Sequence, residues 1–196
     1  MVNSVAAAVF IDYTPLPEAQ YPVAINEAYA ATKWVAANGK EIGVDGSRLA
    51  VAGNSVGGNM ATVVSLMAKD KNSPKIPFQL LLWPVTDATF TQPSYTSFAQ
   101  GRFLNAPLMK WMWDKYTTNA TERKSIYASP LQATIEQLKG LPPALVQVAE
   151  NDILHDEGVA YARKLDEAGV PTTIAEYKGF IHDYGMLNLL ANIPAV

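Results

Sequence analysis

Val51-Ala52-Gly53-Asn54-Ser55-Val56-Gly57-Gly58-Asn59 places a serine inside a G-x-S-x-G pattern directly behind an apolar run. Arg48 to Ala52 reads as a buried strand and Met60 to Ala68 as a helix, so Ser55 falls on the sharp turn between them, where a nucleophile elbow sits. An elbow forces its central residue into strained backbone. A side chain two positions away on either side would collide with the strand or helix, which is the expected reason for Gly53 and Gly57, with Gly58 following. The hydroxyl then stands at a helix N-terminus, where N–H groups favour developing negative charge. Gly-Asn-Ser and Gly-Gly are also ordinary loop chemistry, so the decision passes to the partners.

A serine hydroxyl needs a base to take its proton, and the base needs an acid to hold its tautomer. The chain has only two histidines. His155 precedes a helix expected to run to about Ala168 and reads as a solvent-facing loop residue. His182 follows the strand pattern Thr172 to Tyr177, on a loop at a strand's C-terminal end, where catalytic loops gather in an α/β sheet. Pro143 to Ala149 reads as another buried strand, and Asp152 stands just beyond it. Asp152 alone could be a helix cap and His182 a plain loop histidine. The order Ser55, Asp152, His182 is nevertheless that of the α/β hydrolases.

With these residues in place the chain resembles the hormone-sensitive-lipase-like carboxylesterases of the α/β-hydrolase fold. Ile11-Asp12-Tyr13 with Pro15, Pro17-Glu18 and Tyr21-Pro22, then Gly53 to Asn59, Asp152 to Gly158, and Ile181-His182-Asp183-Tyr184 carry the likeness, which runs from about Ala8 to Leu190. The resemblance implies Ser55 as nucleophile, His182 as general base, Asp152 as orienting acid and the Val56 N–H as an oxyanion donor. Asn54 stands where the family usually has aspartate, and Val56 where it usually has alanine. The family also carries a histidine followed by glycines ahead of the Ile11-Asp12-Tyr13 segment, and their N–H groups complete the oxyanion hole. This sequence contains no such motif and starts at Met1-Val2-Asn3-Ser4. Loss of one donor typically costs about 10²–10³ in turnover. The expectation is therefore an N-terminally truncated α/β fold that lacks a central strand. Either Ala6–Tyr13 shifts across to pair with Leu49–Asn54, or a second copy of the chain covers the gap.

The 196 residues, 49% hydrophobic and 17% charged, suit one domain. Without cysteine there is no disulfide framework or thiolate metal site, which fits a cytosolic setting, and no metal or organic cofactor is called for. Net charge is −3 with scattered Lys and Arg, so no nucleic-acid face is expected. No run approaches the length of a membrane span. Strands at Ala6–Tyr13, Leu49–Asn54 and Phe78–Pro84 alternate with helices at about Pro22–Asn38 and Gly57–Lys69, the βαβ rhythm of a mostly parallel sheet flanked by helices. Residues 86–129 break that rhythm. Their aromatic crowd and a helix over about Pro107–Thr117 read as a partial cap inserted above Ser55. Phe98, Phe103, Leu104, Met109 and Trp113 then either line an apolar substrate pocket or form the insertion's own core.

The functional expectation is a serine carboxylesterase acting on short- to medium-chain acyl esters through Ser55, His182 and Asp152, slowed by the missing glycines. The alternative is a weak or inactive hydrolase fold that self-associates or binds a small molecule.

Overall fold

A computed structural model describes residues 6–190 and 192, so expectations tied to Met1–Ser4 lie outside it. The chain runs α1 (Val23–Asn38), β1 (Val51–Asn54), α2 (Val56–Asp70), β2 (Gln79–Leu82), α3 (Pro93–Ser97), α4 (Ala106–Tyr116) and α5 (Ala120–Arg123). It continues through α6 (Ile135–Leu138), β3 (Ala144–Ala149), α7 (His155–Glu167) and β4 (Thr172–Tyr177). The strands form one parallel sheet in the order β1-β2-β3-β4. Parallel strands buried by flanking helices read as near-continuous apolar runs, and Leu81, Val146 and Val148 are fully buried accordingly. Helix α2 is the hub. Its Val63, Val64 and Met67 meet Ile25 and Ala28 of α1, while Ala61 and Leu66 join the cluster formed with the sheet, Tyr161 and Leu165.

One expectation fails. Ala6–Tyr13 forms no strand and does not pair with β1; it runs without regular structure, with Ile11 and Tyr13 resting on the α1–α2 cluster. Its far end is tied elsewhere, since the Thr14 N–H and hydroxyl both donate to the Glu27 carboxylate of α1, at 2.7 and 2.8 Å. A carboxylate bound twice in this way holds the segment against the helix rather than the sheet edge. Among the described residues, the outer edge of β1 therefore has no partner strand.

The stretch between β2 and β3 is helical, as its composition suggests. Helix α4 starts where Asn105 accepts the Leu108 N–H, with Pro107 in its first turn, and buries Met109 and Trp113. These two pack with Leu104, Tyr95, Ile153 and Leu154 in a cluster of their own. No helix among the described residues is long and apolar enough to cross a membrane.

Candidate active site

Ser55 sits between β1 and α2 with φ 52° and ψ −118°, a conformation that costs a non-glycine residue about 1–3 kcal/mol. The surroundings hold it there. Its N–H donates to Leu82 O, and its carbonyl accepts from the N–H groups of Val85 and Asn59. The glycines divide the steric work differently from the sequence expectation. A Cβ on Gly53 would lie 2.1 Å from the Gly57 carbonyl oxygen, and one on Gly58 would lie 2.8 Å from Pro84. At Gly57 the nearest atom is Asn54 Oδ1 at 4.0 Å, so that position is not sterically forced. The crowding is one-sided because the Gly57 backbone itself presses on Gly53.

His182 Nε2 lies 3.0 Å from Ser55 Oγ, and His182 Nδ1 lies 2.7 Å from Asp152 Oδ2. The imidazole and the carboxylate are almost fully buried. An ionised Asp152 makes Nδ1 the donor, which leaves Nε2 free to accept from the serine hydroxyl. The other Asp152 oxygen accepts the Leu154 N–H at 3.0 Å, so this carboxylate also organises the turn into α7. Its two readings, cap-like turn residue and partner of His182, are satisfied by different oxygens. Val56 opens α2, and its N–H has no acceptor among the described residues, leaving it available beside the hydroxyl.

Several participants lie inside or beside the quoted motifs, but no role for them was legible in the sequence. Asp183, in left-handed backbone at φ 58°, places Oδ1 at 3.7 Å from His182 Nε2 while accepting from the Trp83 indole at 2.7 Å and the Asn54 amide at 3.2 Å. Asn54 is thus a donor to a carboxylate, a role an aspartate there could not fill. Glu157 is completely buried, and its Oε1 accepts the N–H groups of Thr86 and Asp87 where the chain leaves β2. Burial pushes its carboxyl up to about 8, against the pull of those two donors and with Asp87 adding to the rise.

An apolar cleft of about 230 Å³ opens beside Ser55. Tyr13 and Leu16 of the N-terminal segment, Met60 of α2, and Met109, Met112 and Trp113 of α4 contribute to its wall. Of the five residues expected to line it, only Met109 and Trp113 do. Leu104 is buried in the insertion's core, Phe98 packs against the same cluster, and Phe103 projects outward, 55% exposed. Among the described residues no group of three or more His, Cys, Asp or Glu is arranged to hold a metal ion.

A family model described as the α/β-hydrolase fold matches residues 2–186. The chain belongs to this family, that of the hormone-sensitive-lipase-like carboxylesterases. Among its relatives are an ethyl acetate hydrolase of Pseudomonas putida, 35% identical over 89% of this chain, and a carboxylesterase of Mycobacterium tuberculosis, 35% identical over 99%. The chain spans 54% and 60% of their respective lengths. A thermostable esterase from Pseudomonas putida ECU1011 superposes with a TM-score of 0.93 at 68% identity, covering 94% of this chain and 58% of that one. An esterase from the fungus Rhizomucor miehei is 45% identical with a TM-score of 0.86, covering 88% and 54%.

Proposed function

We propose that this chain is a serine carboxylesterase for short- to medium-chain acyl esters, with Ser55 as nucleophile, His182 as general base and Asp152 as orienting acid. The observation that carries the reading is the unbroken relay from Asp152 through His182 to a strained serine at a helix N-terminus. As Ser55 Oγ attacks the ester carbonyl, its proton passes to His182 Nε2, and the imidazolium is held by Asp152. The Val56 N–H donates to the oxyanion. His182 then returns the proton to the departing alcohol, and water repeats the sequence on the acyl-enzyme. The apolar cleft receives an uncharged acyl or alcohol group.

Residues 86–129 act as part of a cap in this reading, since α4 supplies one wall of the cleft. The edge of β1, unpaired among the described residues, supports association with a second copy of the chain. The test follows p-nitrophenyl acetate and butyrate through burst and steady state, beside Ser55→Ala. Steady turnover that drops about 10⁴-fold or more in the variant is expected. A burst without turnover favours a site that acylates but lacks oxyanion donors, and equal signals from both proteins overturn the reading.

A further inference from the structure

His155 reads from the sequence as a solvent-facing loop residue, but the structure places it in a clamp. Its side chain is 22% exposed, with Nδ1 2.7 Å from Asp156 Oδ1 and Nε2 3.2 Å from Glu176 Oε1. It opens α7 three residues after Asp152, and its N–H donates to the Asp152 carbonyl at 3.0 Å. Glu176 lies on β4, the strand that leads to the His182 loop.

We infer that His155 is a positioning residue whose ring, held between Asp156 and Glu176, laces the loop carrying Asp152 to the strand that delivers His182. A neutral imidazole has one N–H and serves one carboxylate; only the imidazolium donates to both. The surrounding charges are Asp156 from α7, Glu176 from β4, and Lys178 and Glu150 from the loops beyond β4 and β3. Lys178 Nζ shares Glu176 Oε1 at 2.8 Å and approaches Glu150 Oε1 at 3.4 Å, so a charged His155 joins one cation and three carboxylates. The second Asp156 oxygen accepts the Ser94 N–H, which fixes that partner. Backbone bonds from Asn151 to Phe180 and from Glu150 to Tyr177 hold the two loops at a set spacing. His155 adds a further side-chain lace on the outer side of these loops, beside the Lys178–Glu150 pair. Deprotonation leaves one carboxylate facing a lone pair, and the Asp152–His182 contact loses that support.

The inference rests on the proposed esterase reading for its kinetic consequence but has a readout independent of it. With only two histidines, ring ¹⁵N signals are assigned by His155→Leu. The low-field Nδ1 proton of His182 should move in His155→Leu and return in His155→Arg, whose fork keeps two charged donors. In the p-nitrophenyl acetate assay, His155→Leu should lower kcat about 3- to 10-fold with KM little changed. An unmoved His182 proton in His155→Leu overturns the inference whether or not the chain hydrolyses esters. Absence of Ser55-dependent hydrolysis, with the NMR result as expected, removes the esterase reading alone.

Discussion

Gly53 and Gly57 look equivalent in a G-x-S-x-G pattern, yet they face different neighbours. Gly53→Ala drives a Cβ into the Gly57 carbonyl at 2.1 Å, and since that atom is backbone the elbow itself must shift. The expected loss is about 3 kcal/mol or more, with loss of activity, read by chemical denaturation. Gly57→Ala meets nothing closer than 4.0 Å and replaces glycine inside the first turn of α2, so it should be neutral or gain up to about 1 kcal/mol. Equal destabilisation by both would show that the crowding runs both ways. Glu157 offers a second test at this scale. Its folded-state carboxyl at about 8 lies above its ordinary value of 4.5, so the folded protein holds a proton that the unfolded chain has released between those pH values. The stability from this group is complete below about 4.5 and is lost as pH rises through about 8. Within that window it falls by about 1.4 kcal/mol per pH unit. Glu157→Gln keeps an oxygen for the Thr86 N–H but cannot ionise. Its denaturation midpoint should gain on wild type steadily from pH 5 to pH 8, and a constant difference would contradict the buried, protonated state.

At the scale of elements, regular periodicity was legible and irregular backbone was not. Thr172–Tyr177 reads as a strand with the bounds it takes, and Pro143–Ala149 misses by one residue, because each is a β-rich run between turn residues. Helices α1, α2, α4 and α7 follow from apolar spacing and stop signals. Ala6–Tyr13 is as apolar as a strand, but a strand exists only with a partner, and local pattern cannot see that Thr14 is tied to α1. The order Ser55, Asp152, His182 was readable because strand-end loops announce themselves. Trp83, Asp183 and His155 were not, since their roles depend on loops that meet only after folding. Asn59 shows how elements hold one another: from the first turns of α2, its amide donates to Val85 O after β2 and Ala128 O at the end of the insertion, at 2.9 and 2.8 Å. Asn59→Ala strands both carbonyls in a buried setting. It should cost about 2–4 kcal/mol and raise KM more than it lowers kcat, as α4 loses its anchorage over the cleft. Thermal unfolding and ester kinetics read the two effects separately.

At the scale of the whole molecule, the decisive feature among the described residues is a parallel sheet whose first strand stands at an edge. Sheets of this kind are normally covered on both sides and rarely leave an apolar strand open to water. The N–H groups of Val51 and Ser55 go to Phe78 O, just before β2, and to Leu82 O, so by alternation those of Ala52 and Asn54 face outward. Ala52 is exposed, and Val56 beyond the strand's end is 49% exposed. Unpaired backbone beside exposed apolar side chains is a template for another strand, and a two-fold pairing of β1 with its own copy would run antiparallel. Mass should therefore rise with concentration in sedimentation equilibrium. Ala52→Lys places a charge on the pairing edge without adding a buried group, so it should shift the distribution toward monomer while leaving the Ser55–His182 distance undisturbed. If association persists unchanged in that variant, the contact lies elsewhere. If wild type stays monomeric at all concentrations, the edge is tolerated in water, and four short parallel strands suffice to hold the relay between Ser55, His182 and Asp152.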